Sequence, residues 1–159
     1  VHADTRAVRV EVPAGVSTGT RLRLNREGEA APRGGVAGDL YVEVSVVPDP
    51  RFERQGDDVL HRVGVGMAEA ALGAEVEVPL IDGGVHRLQV PAGTQPGWTT
   101  RIPGQGMGRL GRRGRGDLVV RAEVEVPTDL TEEQAELLRA FAEARGERPL
   151  PGRRRRTRR

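Results

Sequence analysis

Val12-Pro13-Ala14-Gly15, followed by Gly19, Arg23, Gly28 and Gly38-Asp39-Leu40, returns further along as Val90-Pro91-Ala92-Gly93, followed by Gly97, Arg101, Gly106 and Gly116-Asp117-Leu118. Every pair of positions is 78 apart (12 to 90, 38 to 116), without a gap. An internal repeat constrains a fold more than any single motif. Two copies make a tandem pair of similar modules rather than a solenoid. Pro cannot donate to a ladder and sits at a strand end or edge. Pro-Ala-Gly then makes a turn, because Gly accepts positive φ. A short strand follows, residues 20–24 or 98–102. A glycine-rich loop leads to Gly-Asp and a longer strand. Each block therefore reads strand, turn, strand, loop, strand, an antiparallel unit with no helix long enough for a parallel crossover.

Outward from the repeat, residues 5–12 alternate, with Val8, Val10 and Val12 on one face, as in a half-buried strand. Residues 39–47 repeat the pattern with Leu40, Val42, Val44 and Val46, and Pro48-Asp49-Pro50 ends it. Phe52 is placed to anchor the link between modules. Gln55-Gly56-Asp57-Asp58 reads as a turn, and residues 59–65 as a strand broken by Gly64 and Gly66. Residues 67–72 are strong helix formers closed by Gly73. Residues 74–80 and 85–90 form a hairpin around Ile81-Asp82-Gly83-Gly84. After a strand over 118–126, Thr131 and Gln134 make a capping box. The helix it opens runs to about Arg145 and carries Leu137, Leu138 and Phe141 on its apolar face.

Composition narrows the chemistry. Of 159 residues 36% are hydrophobic and only 3% aromatic, so the core is aliphatic. No cysteine is present, which excludes disulfides, thiolate catalysis and zinc fingers in this chain. No apolar run approaches the roughly 20 residues of a membrane span. The net charge of +2 is uneven: all 25 basic residues are Arg, and six fall in the last seven positions. Without those six, 19 basic residues face 23 acidic ones, a balance of −4. The tail, residues 147–159, reads as disordered.

No motif favours catalysis. Gly104-Gln105-Gly106-Met107-Gly108 lacks the Lys and the following helix of a phosphate loop. His2, His61 and His86 have no metal-ligand spacing, Asp57 and Asp58 are adjacent on a turn, and no Ser sits in a nucleophile elbow. Residues 109–115 interleave Gly and Arg as RNA-binding segments do, yet stacking aromatics are few, and a solvated connection is the preferred reading. The reading is of a protein that is not an enzyme and uses no metal or cofactor.

A longer set of residues carries a family resemblance. Pro50-Arg51-Phe52-Glu53-Arg54-Gln55-Gly56-Asp57-Asp58, Glu69-Ala70-Ala71-Leu72-Gly73-Ala74, Pro91-Ala92-Gly93-Thr94-Gln95, Gly104-Gln105-Gly106 and Gly114-Arg115-Gly116-Asp117-Leu118 join the repeated blocks in one register over about residues 3–146. This run resembles the C-terminal substrate-binding region of DnaJ-type (J-domain) co-chaperones. The resemblance implies an all-β-dominated fold of two tandem, similar, β-sandwich-like subdomains with few short helices, plus a C-terminal helix. Residues 1–50 form the first and residues 51–146 the second. It implies a cytoplasmic protein of the stress response that holds unfolded client polypeptide for a DnaK-type chaperone and is a homodimer in its parent protein. The family's groove positions that match are Val8 and Val42, with Val10 and Leu24 as neighbours. The competing reading is an Arg-tailed nucleic-acid-binding module.

Departures from the family pattern modify these expectations. The J domain with its His-Pro-Asp triplet and the cysteine-rich zinc module are absent from these 159 residues, so stimulation of a partner ATPase by this chain alone is not expected. Val1 falls about where the zinc module ends. The first subdomain is therefore expected to be incomplete, and the dimerisation segment shortened or replaced by the Arg tail. Asp49 stands where the family commonly has His.

Overall fold

In a computed structural model of the chain, residues 7–29 and 35–149 are described. Among the described residues eight strands dominate and two helices accompany them, as an all-β-dominated fold requires. The strands are β1 (Arg21–Leu24), β2 (Leu40–Glu43), β3 (Glu53–Gln55), β4 (Asp58–Gly66), β5 (Ala74–Pro79), β6 (Val85–Val90), β7 (Thr99–Ile102) and β8 (Leu118–Glu125). Helix α1 (Met67–Leu72) lies between β4 and β5, and α2 (Glu132–Ala144) follows β8. Three sheets result: β1-β2, β5-β6, and a four-stranded sheet in the order β3-β4-β8-β7. The chain divides into two compact units, Val1–Val124 and Glu125–Arg159.

The aliphatic core lies within the first unit and is drawn from the second copy of the repeat and the strands before it. Val65, Val78, Leu118, Val120 and Ala122 are completely buried, with Val59, Ala70, Val90 and Ile102 nearly so. Trp98, Phe52 and Met107 pack against this cluster from its margin. Phe52 thus meets the core just after the first copy of the repeat, also touching His61 with ring centroids 5.7 Å apart. Helix α1 is short enough to depend on its ends. The Gly66 N–H donates to the Glu69 carboxylate at 2.9 Å, and Gly73, at φ +86°, donates back to the Glu69 carbonyl. In the second unit the capping box of α2 forms as the sequence specifies: the Gln134 N–H donates to Thr131 Oγ1 at 3.2 Å and the Thr131 N–H to the Gln134 side chain at 2.9 Å. Leu137 and Phe141 on its apolar face are exposed.

Several expectations are corrected. The strand over residues 5–12 does not form among the described residues: 7–12 join no ladder. Its alternation survives as burial, with Val8 and Val10 half-buried between exposed Arg9 and Glu11. Alternation selects a face, but a strand also needs a partner edge within hydrogen-bonding reach, and residues 7–12 are laddered to none. The strand over 39–47 is shorter than its pattern. Beyond Glu43 the chain is held by Thr18, whose hydroxyl receives the Val46 N–H at 2.9 Å. The strand over 59–65 is not broken at Gly64; β4 runs through it to Gly66. Gln55-Gly56-Asp57-Asp58 turns as expected, but it joins an unforeseen hairpin, β3 pairing with β4 from Glu53↔Leu60 to Gln55↔Asp58. The expected disorder of the Arg tail falls on residues that lie outside those described, apart from 147–149.

Candidate polypeptide-binding surface

The two copies of the repeat share one hydrogen-bonded frame. Leu22 pairs with Val42 and Leu24 with Leu40, and 78 residues on Thr100 pairs with Val120 and Ile102 with Leu118. The Gly19 N–H donates to Val44 and that of Gly97 to Ala122, both at 2.9 Å. The Gly28 N–H donates to Gly38 and that of Gly106 to Gly116, both at 2.8 Å. Arg23 Nε donates to Asp39 at 2.8 Å, and Arg101 meets Asp117 at 3.3 Å. Even the strained residue recurs: Arg26, at φ +62°, occupies the place of Gly104, at φ +70°. In each copy that residue's N–H donates to the Gly-Asp carboxylate at 3.1 Å. The Asp39 carboxyl is held below its usual range by this N–H and then by Arg23.

Within that common frame, burial differs. Leu118, Val120 and Ala122 are fully buried, and Ile102 is 8% exposed. Their counterparts Leu40, Val42, Val44 and Leu24 are all only half-buried, as is Leu22. In the second copy Ala70 of α1, Val78 of β5 and Val90 of β6 belong to the same buried cluster. Val90 is 3% exposed, whereas its counterpart Val12 is 59% exposed. The β1-β2 ladder therefore carries an apolar face that its twin closes into a core and that it leaves half open. Arg21, Arg23, Tyr41 and Glu43 point to the other face and are exposed.

Of the four residues expected to bind client, Leu24 and Val42 fall on this face, one on each strand. Val8 and Val10 lie on the unladdered segment before it. That segment runs beside β1 across a cleft of about 660 Å³ lined by Arg9, Glu11, Val12, Pro13 and residues 21–24, so among the four only Leu24 lines the cleft. Leu22, Leu40 and Val44 belong to the face as well. Their strand alternation, read together with the buried residues 78 positions on, was the signal that could have found them.

A second concavity lies where the first copy meets the strands that follow it. It is about 620 Å³, mainly apolar, and lined by Val46, Val47, Pro48, Phe52, Val59, Ile81 and Met107 among others. Beside it the turn of the first copy is docked. Arg54 donates to the carbonyls of Gly15 at 2.7 Å, Val16 at 2.6 Å and Gly56 at 2.9 Å. Gly15, at φ +87°, leaves no room for a β-carbon against the Gly108 carbonyl, and a β-carbon on Gly108 would stand 2.9 Å from that of Ala14.

Several ionisable groups are tied into structure. Asp58 receives the Asp117 N–H and Arg101, both at 2.8 Å, and its carboxyl is held below the usual range first by that N–H and then by Arg101. Asp49 is lowered to about 2 by the hydrogen bonds of Arg51. His61 Nδ1 lies 2.8 Å from the Arg51 carbonyl. Among the described residues no three His, Cys, Asp or Glu side chains are grouped to hold a metal ion, and no helix is long and apolar enough to cross a membrane.

Comparison with known proteins shows the family of the chain. The DnaJ C terminal domain family matches residues 2–127. The chain is 49% identical over 145 residues to the chaperone protein DnaJ of Syntrophobacter fumaroxidans, covering 91% of this chain and 38% of that protein. It is 52% identical over 139 residues to the one from Jannaschia sp., covering 87% and 36%. For that of Acidiphilium cryptum the identity is 50% over 141 residues, covering 89% and 37%. The chain thus spans little more than a third of the length of these relatives. With the repeat, the β-dominated fold and the family match over most of its length, this chain belongs to the DnaJ C-terminal domain family.

Proposed function

We propose that this chain is the polypeptide-binding part of a DnaJ-type co-chaperone. It holds unfolded client on the half-open face of its first repeat and works with a DnaK-type chaperone, without catalysis of its own. The first subdomain, residues 1–50, supplies the surface, and residues 51–146 form the module on which it is mounted. The observation that carries the reading is the burial contrast within one frame: Leu40, Val42 and Val44 half-buried, Leu118, Val120 and Ala122 fully buried. An extended segment laid on β1-β2 has two supports. The sheet has only two strands among the described residues, so it offers ladder edges. The apolar face accepts alternate side chains. Completing the burial of Leu22, Leu24, Leu40, Val42 and Val44 is worth about 1 kcal/mol each, or about 5 kcal/mol before the cost of association. That sum is weaker than the roughly 8 kcal/mol of a micromolar complex. Main-chain pairing must supply the remainder, which gives sequence tolerance.

The test replaces Val8 and Val42 with Asp. Suppression of aggregation of a denatured model protein should fall several-fold, while the fluorescence of Trp98, in the second repeat, stays that of the parent. Unchanged suppression by a folded double variant would remove the groove from this face.

A further inference from the structure

The two copies part company at one loop. Between the conserved glycine pairs, Arg109-Leu110-Gly111-Arg112-Arg113-Gly114-Arg115 stands where the first copy has Ala31-Pro32-Arg33-Gly34-Gly35-Val36-Ala37, four arginines against one. The frame on either side is retained, so these arginines are not needed to close the repeat. The loop is a small hairpin: Gly108 bridges Arg115, the Arg109 N–H donates to Gly114 at 3.2 Å and the Arg112 N–H to Arg109 at 3.2 Å. Arg115 is fixed by the Gly106 carbonyl, at 3.0 and 2.8 Å, and by Asp82. Arg109 reaches Asp57 only loosely, at 3.8 Å. The guanidinium groups of Arg112 and Arg113 make no hydrogen bond or ion pair among the described residues. Arg109, Arg112 and Arg115 line one cleft of about 390 Å³, whose lining also includes Ile81 and Met107.

We propose that this cleft binds an acidic segment of an extended polypeptide, with carboxylates on the hairpin arginines and a neighbouring apolar side chain on Ile81 and Met107. With Arg113 beside the three arginines that line the cleft, the hairpin carries four guanidiniums against the two carboxylates paired with it, Asp57 and Asp82, an excess of two positive charges on a body that is otherwise acidic. Arg presents a planar fork that matches a carboxylate, and solvated guanidiniums with nothing to release bind one at little cost. Three features favour a peptide over a nucleic acid. Ile81 and Met107 give the lining an apolar part, no aromatic ring lines the cleft for base stacking, and Asp57 and Asp82 interrupt the positive track that a phosphate backbone follows. The surface is separate from the β1-β2 face and does not depend on it.

The experiment uses the full chain with Arg153, Arg154, Arg155, Arg156, Arg158 and Arg159 replaced by Ser, so that the tail does not compete. A fluorescein-labelled peptide of alternating Glu and Leu is titrated and followed by anisotropy, beside its Gln-for-Glu counterpart and a thymidine oligonucleotide of equal length. The Glu peptide should bind more tightly than either. R112E/R113E should weaken it by about tenfold or more, with the milder R112Q/R113Q intermediate and Trp98 fluorescence unchanged in both. In the V8D/V42D variant the preference for the Glu peptide over the Gln peptide should persist, since any hold of the Leu side chains on the β1-β2 face is common to both peptides. Equal binding of the Glu and Gln peptides, or binding indifferent to both hairpin variants, overturns the site. Tighter binding of the oligonucleotide, lost in R112E/R113E, overturns the choice of ligand.

Discussion

Gly15 and Gly93 occupy the same place in the two repeats and the same conformation, φ +87° and +80°, but not the same surroundings. A β-carbon on Gly93 meets nothing within 4 Å, whereas on Gly15 it collides with the Gly108 carbonyl and stands 2.8 Å from the Leu110 nitrogen. Gly93→Ala therefore costs only the left-handed backbone strain, about 1–2 kcal/mol. Gly15→Ala carries the same strain and also forces the turn away from the 108–110 loop. That withdrawal breaks the bonds from Arg54 to the Gly15 and Val16 carbonyls. Each is charge-assisted and partly buried, so about 1.5 kcal/mol apiece is a fair lower figure. The excess of Gly15→Ala over Gly93→Ala should then be about 3 kcal/mol.

Urea unfolding followed by Trp98 fluorescence measures both variants. With a slope of about 2 kcal/mol per molar, the extra loss moves the midpoint down by about 1.5 M. Trp98 is the only Trp and packs on the core of the second repeat, so it registers a change in the first repeat only if the two are mechanically joined. The cycle closes with Arg54→Ala. In that background the excess of Gly15→Ala should shrink toward the steric part alone, because the bonds it breaks are already gone. Equal losses for Gly15→Ala and Gly93→Ala would refute the docked turn, and a fully additive cycle would refute the role of Arg54.

The same pairing of positions yields further expectations. Leu118→Ala should destabilise by about 3–4 kcal/mol, and Leu40→Ala, at the equivalent half-buried site, by no more than about half as much, in chemical denaturation. Acid should unfold the first unit, and Asp58 contributes to this. Its folded pKa is depressed, so the stability it provides is fully present above the ordinary Asp value of about 3.9 and lost as pH falls through the folded value. Urea midpoints measured from pH 6 to pH 2 should be level and then fall below about pH 4, and Asp58→Asn should lower the plateau and flatten the descent. Thr131→Ala should shorten or loosen α2 at a cost of about 1 kcal/mol, seen as lost helical circular dichroism, since it removes the acceptor for the Gln134 N–H.

What the residues disclose on their own is conformation, and what they conceal is neighbourhood. The spacing of 78 foretold paired ladders in one register, and Pro-Ala-Gly foretold a turn with positive φ at Gly15 and Gly93 alike. Local chemistry settles such features: a missing β-carbon, a capping hydroxyl at Thr131, Gly73 past the end of α1. The neighbours do not follow. In the second copy the Gly93 and Thr94 N–H groups donate to the Ala70 carbonyl and close helix α1, at 2.8 and 3.0 Å. In the first copy the same turn is gripped by Arg54, 39 residues from Gly15. Nothing in Val12-Pro13-Ala14-Gly15 distinguishes these fates. The candidate site divides along the same line. Alternation placed Val42 on an apolar face, while Leu24 came only with the family resemblance, and a half-buried strand pattern is identical whether the face is covered or left for a partner. Burial in space tells which copy is which, as with Val90 at 3% exposure against Val12 at 59%. Val8 and Val10 alternate as cleanly as Leu118, Val120 and Ala122, and yet residues 7–12 form no ladder. A strand pattern is half of a pair, and the other half has to be found in space.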